Sequence, residues 1–422
     1  MELGFSVSYC TVNSSEISFD REFTLQIKRV HEAGNCRFTL LTRKPKFTLQ
    51  KSPRQHMKPS RQALSLLYRW LGRGLLPEVT SNFRLPERGE LFDHRACHAP
   101  ALGTLAVVTG ATGGIGEATC RGLAQVGFEV IVAARNETRG EEVAASIRSS
   151  GGAARFVRFD SSVLGALRLA ETILRDKAPL GLLVNNAGLM GGTEAEVMTV
   201  NLVAPAVLCA ALLDKLRSCP YDLFTPRVVN VASSAHLRAH RVDVTRARST
   251  RSDRTLVAYG ESKLGLLQIS TLLRTHCVVH DVHPGLVWTA MLRRAYGPVA
   301  GALDWAGVRL PPWTRTPVQG AATVLAACLG PPQVDPHLTY YADARPKPGS
   351  CAAEAHDAAA AAVLWKSLIE PQLLEHAGVA VADSEFAGAA TCARRWAGQL
   401  VAVSTVHTPE RGYPIPRSPQ SY

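Results

Sequence analysis

Short apolar runs alternate with amphipathic stretches between about residues 102 and 374. Runs such as TLAVVT, FEVIVAAR, AARFVRF, LGLLVNN, RVVNVA, CVVHDV and LTYY are bounded by glycine or polar residues, which is typical of buried strands. The stretches between them carry apolar residues at helical spacing. This alternation predicts an α/β fold: a doubly wound parallel sheet, covered by helices on both faces and joined by right-handed crossovers.

The flanks lack this alternation, so we expect one α/β domain over residues 101–375 with irregular N- and C-terminal extensions. Residues 1–100 form a basic extension, and the structure of the tail over residues 376–422 is not predicted by its pattern. Within the N-terminal extension, RQALSLLYRWLGRGLL (residues 61–76) has leucines at helical spacing and arginines on the opposite face. Two interpretations stay open: an amphipathic helix on an anionic membrane surface, or a helix packed against the main domain.

Charge and cysteine content narrow the class of protein. The 422 residues are 46% hydrophobic with a net charge of +12, and ten Lys or Arg without any Asp or Glu lie between Ala33 and Pro77. Few aromatics interrupt that basic stretch, so we expect no nucleic-acid partner. The ten cysteines never form CxxC, which argues against a disulfide framework or a metal site. The sequence contains no run of 18 apolar residues, so its pattern predicts no membrane span. The first residues do not resemble a secretory signal.

A glycine-rich turn, TGATGGIG (Thr109–Gly116), lies between the first strand and its helix. Gly110 would form the tight turn, Gly114 would let backbone approach a pyrophosphate, and Gly116 would let the helix pack closely. The helix N-terminus then offers N–H groups to phosphates. Arg135, at the end of the second strand, suits the 2′-phosphate of NADP(H), whereas an acidic residue there would favour NAD(H).

Four motifs in this order resemble the classical short-chain dehydrogenase/reductase family over about residues 102–374. They are the glycine-rich turn, NNAG (Asn185–Gly188), Y-x-x-x-K (Tyr259–Lys263) and HPGLVWT (His283–Thr289). The serine region VNVASSAHL looks most like the retinol-dehydrogenase-like branch. The resemblance implies a Rossmann fold and four catalytic residues, Asn201, Ser233, Tyr259 and Lys263. It also implies cofactor contacts at Gly110, Thr112, Gly114, Ile115, Gly116, Arg135, Asp160, Ser161, Asn186, Ala187, Gly188, Tyr259, Lys263, Pro284, Gly285, Val287 and Thr289, and no metal.

The chemistry explains why these residue types are needed. Reduction of a carbonyl requires a proton donor for the developing alkoxide, and Tyr259 would supply it. Lys263, one helical turn later, would lower the tyrosine pKa and hold the nicotinamide ribose. Ser233 would donate a hydrogen bond to the carbonyl oxygen. Asn201 would hold a water that connects Lys263 to solvent.

These observations predict an NADP(H)-dependent oxidoreductase that interconverts an alcohol and a carbonyl on a small hydrophobic substrate, such as a retinoid, a steroid or another lipid. The segments after Gly188 and Lys263 are shorter than in the resembling family, which keeps open a catalytically weak or inactive NADP(H)-binding sensor or scaffold. A homodimer is left open. The branch resemblance favours membrane association, at the endoplasmic reticulum, with a cytoplasmic location as the alternative.

Three further features receive two interpretations each. His236 would either border the substrate or lie on the surface, and His283 is expected to be a packed loop residue rather than a base. The stretch Leu237–Arg254, with six arginines and two aspartates, would be a solvated loop or a basic lip near the site. The apolar stretch Ala290–Pro317 would form the substrate surface or merely pack on the domain.

Overall fold

The computed structural model describes residues 14–18, 24–32, 35–42, 103–221, 224–297, 300–301, 314–333, 335–382 and 386–402. The amphipathic helix predicted over residues 61–76 lies outside the described residues, as do residues 403–422.

An eight-stranded sheet forms the centre of the large unit, with strand order β11-β10-β9-β8-β7-β4-β5-β6. Every neighbouring pair is parallel except β10 with β11, which is antiparallel. The strands are β4 (Leu105–Thr109), β5 (Glu129–Ala134), β6 (Ala153–Arg158), β7 (Leu180–Asn185), β8 (Arg227–Val231), β9 (Val278–His283), β10 (Tyr340–Ala342) and β11 (Arg345–Pro346). The seven apolar runs of the sequence correspond to β4 through β10, and β11 is an addition that the pattern did not indicate.

Helices cover both faces of this sheet, which confirms the doubly wound architecture. They are α1 (Gly114–Gln125), α2 (Glu137–Ser149), α3 (Val163–Arg175), α4 (Glu194–Met198), α5 (Ala204–Arg217), α6 (Thr255–Leu273), α7 (Ala290–Tyr296), α8 (Pro317–Leu329), α9 (Ala358–Leu364), α10 (Glu370–Ala382) and α11 (Ala387–Ala402). One core lies between the sheet and α1, α2 and α8, and a larger one between the sheet and α3, α5, α6 and the C-terminal helices. The strands β4, β7 and β8 are completely buried because both faces are covered.

The C-terminal helices belong to the larger core. Trp365 is fully buried, and its indole Nε1 donates to the carbonyl oxygen of Ala397 at 3.1 Å. Phe386 and Trp396 are buried in the same cluster. The packed chain therefore extends to Ala402, beyond the boundary at residue 375 that the sequence pattern indicated.

A second compact unit contains a three-stranded antiparallel sheet of β1 (Ser14–Ser18), β2 (Thr24–Glu32) and β3 (Asn35–Thr42). The strands β2 and β3 pair from Leu25 with Thr42 to Glu32 with Asn35. The N-terminal extension therefore includes regular strands where the pattern indicated none.

Among the described helices, residues 194–217 form one continuous helical segment that is long and apolar enough to cross a membrane. In the structure, 83% of its most apolar window is buried inside the protein. It includes a π-helical turn at Thr199–Val203, between α4 and α5. The segment packs as a core helix, and its π turn carries Asn201.

Candidate active site

Three of the four sequence motifs and the serine region meet at the carboxyl end of the sheet, because each follows one of four neighbouring parallel strands. The glycine-rich turn follows β4, NNAG ends β7, the serine region follows β8 and the HPG turn follows β9. These strands are adjacent in the order β9-β8-β7-β4. Carboxyl ends of parallel strands are where α/β sheets bind ligands, so the topology alone assembles a site from distant parts of the chain.

The glycine-rich turn is packed too closely for a side chain at Gly110, Gly114 or Gly116. Gly110 has φ +66°, and a Cβ there would lie 2.8 Å from the Cα of Ala187. A Cβ on Gly116 would lie 2.4 Å from the carbonyl oxygen of Gly110 and 2.5 Å from Nδ2 of Asn186. Gly114 has φ +56° and begins α1. The positive φ values and the close approaches explain why glycine is needed at these positions.

Asn186 fastens this turn to the end of β7. Its Nδ2 donates to the carbonyl oxygens of Thr109, at 2.8 Å, and Gly110, at 3.2 Å. In return, the Thr109 hydroxyl accepts from the backbone N–H groups of Asn186 and Ala187, each at 3.0 Å. NNAG and the glycine-rich turn therefore form one rigid unit, with the first turn of α1 beside it.

The residues expected near the adenine end lie at the ends of β5 and β6. Arg135 is exposed directly after β5. Ser161 has φ +64°, which is rare for a residue other than glycine. Asp160 accepts from the Ser162 N–H at 2.9 Å and hydroxyl at 2.7 Å. Arg139, four residues after Arg135, is a second cation at this end, and the sequence analysis did not single it out. Its guanidinium pairs with Glu117 of α1 at 2.8 Å.

Tyr259 and Lys263 lie one turn apart on α6. Tyr259 is half-buried, and burial raises its pKa, while a hydrogen bond with the Ser233 hydroxyl opposes that rise. Lys263 is only 4% exposed; its Nζ donates to the Val231 carbonyl oxygen at 2.8 Å and lies 5.9 Å from the Tyr259 ring centroid. Burial lowers the pKa of Lys263 to about 8. Burial therefore raises the tyrosine pKa in this structure, where Nζ of Lys263 donates to the main chain of β8, and the lowering of that pKa by Lys263 stays a prediction.

Asn201 is completely buried in the π turn and holds the short segment after NNAG. Its Oδ1 accepts from the Leu189 N–H and its Nδ2 donates to the Leu189 carbonyl, both at 2.8 Å. Nδ2 also donates to the Ser262 hydroxyl on α6 at 3.1 Å. The shortened segment therefore still connects NNAG to the helix of Tyr259. The water-holding role of Asn201 stays a prediction.

Two histidines border the serine region. His236 is fully buried, unlike either the substrate-facing or the surface position expected for it. Its Nδ1 lies 2.6 Å from the Ser233 carbonyl oxygen, and its Nε2 accepts from the Ala352 N–H at 3.2 Å. His283 is a packed residue, as expected, and its Nδ1 accepts from the Ser234 N–H at 3.4 Å.

The turn expected to cover the nicotinamide is held by Arg315, a residue that the sequence analysis missed. Arg315 is 5% exposed, donates from Nη1 to the Pro284 carbonyl at 3.1 Å and pairs with Asp343. Its backbone forms a parallel bridge with Val287. The pair Thr316-Pro317 signals the start of a helix in the sequence, but nothing there indicates the inward direction of the guanidinium.

The arginine-rich stretch Leu237–Arg254 is anchored at its centre. Arg246 pairs with Glu194 at 3.1 Å and with Glu261 of α6 at 2.9 Å. Both carboxylates belong to buried residues. The stretch is therefore more ordered than a simple solvated loop, and it packs on the helix that carries Tyr259.

The chain is similar to known proteins over the part that carries this site. The short chain dehydrogenase family model matches residues 104–297. The chain is 35% identical to polyprenol dehydrogenase of Mus musculus over 251 residues, covering 55% of this chain and 73% of that protein. It is 32% identical to retinol dehydrogenase 12 of Mus musculus over 245 residues, covering 54% and 73%. Among solved structures, it is similar to a Pseudomonas aeruginosa RhlG/NADP complex, with a TM-score of 0.43, 30% identity and coverage of 55% and 91%.

Proposed function

The chain belongs to the short-chain dehydrogenase/reductase family and is an oxidoreductase, and from this premise we propose that it interconverts an alcohol and a carbonyl on a small hydrophobic substrate with NADP(H). The observation that carries the proposal is the arrangement on α6, where buried Lys263 lies one turn after Tyr259 with its Nζ 5.9 Å from the phenol ring and 2.8 Å from the carbonyl oxygen at the end of β8, two residues before Ser233. Ser233 follows β8 and the glycine-rich turn follows β4, so both lie at the carboxyl end of the same parallel sheet.

The residues around the glycine-rich turn fit a dinucleotide. Glycines at positions 110, 114 and 116 keep side chains away from the turn, and the N-terminus of α1 presents N–H groups suited to a pyrophosphate. Arg135 is exposed where a 2′-phosphate would need a cation. Asn186, Ala187, Gly188 and the turn from Pro284 to Thr289 would hold the nicotinamide half. When bound, the cofactor supplies or accepts the hydride.

The protein side chains then manage the proton. Ser233 and Tyr259 both carry hydroxyls that can donate to one carbonyl oxygen, and a donor placed before charge develops costs no reorganisation during the reaction. Tyr259 holds the proton that this oxygen receives in reduction and takes it back in oxidation. Lys263, whose pKa burial lowers to about 8, can change its charge near neutral pH. We infer that its Nζ bonds the nicotinamide ribose once the cofactor is present.

A hydrophobic substrate is supported by the apolar residues beside the turn after β9 and by the relatives. Polyprenol and retinol dehydrogenases are named for long apolar alcohols. In this chain, Trp288 and Leu292 are buried beside the turn after β9, and a Cβ on Gly188 would lie 3.3 Å from Cε of Met291. An apolar alcohol would be drawn from a membrane, so we propose that the protein works at a membrane surface.

Single-turnover oxidation of bound NADPH tests the proposal, with wild type beside Tyr259→Phe and a panel of retinal and other lipid aldehydes. We expect both proteins to bind NADPH and only wild type to oxidise it, because the phenylalanine keeps the ring but removes the proton donor. Binding without oxidation of any aldehyde would favour the NADP(H)-binding sensor. Equal rates in the two proteins would contradict the role of Tyr259.

A further inference from the structure

We propose that His236 and His283 together are positioning residues for Ser233: they hold the peptide group between Ser233 and Ser234 from opposite sides and so aim the serine hydroxyl at Tyr259. This inference rests on the proposed function, because it assigns a task to two residues beside the proposed catalytic serine. Neither histidine acts on the substrate in this scheme.

The geometry places one imidazole on each end of a single peptide unit. The Ser233 carbonyl oxygen lies 2.6 Å from Nδ1 of His236, and the Ser234 N–H donates to Nδ1 of His283 at 3.4 Å. The C=O and N–H of a trans peptide point in opposite directions, so the two rings fix the rotation of that plane. Ser233 is extended, with φ −159° and ψ 149°, directly before a 3-10 turn at Ser234–Arg238. Rotating the plane would change ψ of Ser233.

Each ring can perform this task only in one neutral tautomer. A carbonyl oxygen only accepts, so Nδ1 of His236 carries the proton and its Nε2 is free to accept from the Ala352 N–H, at 3.2 Å. Nδ1 of His283 accepts, so its proton sits on Nε2. Burial lowers the pKa of both histidines, which keeps them neutral.

The charged groups around the two rings do not reverse this. Glu354 is the carboxylate that acts on His236. His283 faces the cations of Arg315 and Lys347 as well as the carboxylate of Asp343, and burial lowers its pKa to about 4. Both rings therefore remain neutral above mildly acidic pH.

The clamp also connects the active site to a distant part of the chain. Through its two ring nitrogens, His236 joins Ser233 to Ala352, which lies 116 positions after His236 in the chain. His236 also packs on Tyr340 of β10, with ring centroids 5.5 Å apart. Tyr340 and Ala352 therefore support Ser233 through His236, although neither of them carries a catalytic group in this scheme.

The chain provides a matched control in His280. Its Nδ1 lies 2.7 Å from the Ala327 carbonyl oxygen, its Nε2 accepts from the Gln333 N–H at 3.0 Å, and its ring packs on Tyr341 at 5.0 Å. It has the same burial and the same pair of main-chain bonds as His236, but not next to the serine. A merely structural role would make the two histidines equivalent.

The experiment compares His236→Phe, His236→Asn and His280→Phe in the full chain, each with and without Ser233→Ala. Asn can donate from Nδ2 where Nδ1 of histidine donates, so it restores the bond to Ser233 but not the one to Ala352. We expect Ser233→Ala to lower kcat about 100-fold, as for the loss of an oxyanion donor. His236→Phe should lower it about tenfold, a partial loss of the same interaction. Its effect should nearly vanish in Ser233→Ala, while His236→Asn recovers most of kcat.

A second measurement does not depend on turnover. In protein labelled with 3-fluorotyrosine, the ¹⁹F resonance of Tyr259 is identified by its loss in Tyr259→Phe. Because the Ser233 hydroxyl lowers the pKa of Tyr259, Ser233→Ala and His236→Phe should both move this resonance and raise its titration midpoint. His280→Phe should leave it in place, and His236→Asn should stay close to wild type.

The outcomes separate the two proposals. A fully additive loss of kcat in His236→Phe with Ser233→Ala, or a Tyr259 resonance that His236→Phe and His280→Phe affect alike, would overturn the clamp. Wild-type protein that turns over no alcohol or carbonyl would overturn the proposed function, and the fluorine measurement would still decide whether His236 orients Ser233 toward Tyr259.

Discussion

Replacing Gly116 by alanine tests the packing of the cofactor cradle with the smallest possible change. A Cβ at this position would lie 2.4 Å from the Gly110 carbonyl oxygen and 2.5 Å from Nδ2 of Asn186. Neither neighbour is a flexible side-chain end: one is main chain, and the other is held by its bonds to Thr109 and Gly110. Something in the cradle must therefore move.

The magnitude follows from two opposing contributions. Gly116 is the third residue of α1, where alanine gains up to about 1 kcal/mol over glycine in helix propensity. Against this, an added methyl in a close-packed site costs about 1–3 kcal/mol. Displacing Asn186 loses two hydrogen bonds, about 1 kcal/mol each. The net free-energy cost of the substitution is roughly 2–4 kcal/mol. For the part of this cost that opposes cofactor binding rather than folding, each 1.4 kcal/mol weakens the NADPH affinity about tenfold.

The measurement is NADPH affinity by fluorescence, together with the free energy of unfolding in urea. Gly398→Ala is the matched control, because Gly398 also lies inside a helix, α11, and a Cβ there meets nothing within 4 Å. We expect Gly398→Ala to bind NADPH like wild type, whereas Gly116→Ala binds NADPH at least about tenfold more weakly. A Gly116→Ala protein that is more stable than wild type and binds NADPH normally would refute the packing argument.

Other positions give independent tests. Arg135→Ala should weaken NADPH affinity about tenfold and leave NADH affinity unchanged, because NADH lacks the 2′-phosphate; the ratio of the two KM values reports this. Trp365→Ala should lower the free energy of unfolding by about 3–5 kcal/mol in urea titration, since the indole is fully buried and bonded to Ala397. Arg315→Met should raise the KM for NADPH more than it lowers kcat, because the guanidinium holds the turn at Pro284. Burial lowers the pKa of His280 from 6.5 to about 3, so the unfolded chain binds a proton there at a higher pH than the folded protein does. The free energy of unfolding should therefore fall as the pH drops below about 6.5, and His280→Phe should flatten this pH dependence.

The sheet could be predicted because its signal is local. Each strand from β4 to β10 lies in an apolar run bounded by polar residues, and the central strands β4, β7 and β8 require that pattern because both of their faces are buried. By contrast, the sequence alone does not show that α11 belongs to the core. Trp396 suits a surface or a core position equally well, and only the packing of α11 against α5 decides between the two. The strand β3 alternates apolar Cys36, Phe38 and Leu40 with polar residues, so that strand was present in the sequence and was overlooked.

The site divides in the same way. The family resemblance implied that Tyr259, Lys263 and Ser233 act together. The structure brings the strand ends of the parallel sheet that carry the family's motifs close to one another. The buried position of His236 could not be predicted from the sequence, because its second hydrogen-bond partner, Ala352, lies 116 positions away in the chain. Arg315 was missed for the same reason, as its partners Pro284 and Asp343 lie 31 and 28 positions away. Long-range hydrogen bonds of buried polar groups leave no periodic trace.

The bridge between Val287 and Arg315 has an evolutionary consequence. The backbone at Val287 lies beside the backbone at Arg315, so two positions 28 residues apart in the chain are fixed next to each other at the cofactor turn. Because Arg315 itself holds the turn at Pro284, substitutions after Thr289 and before Arg315 could change the substrate preference and leave this support of the cofactor site in place. New substrate preferences could then arise by exchange of one segment, while the hydride chemistry is inherited unchanged.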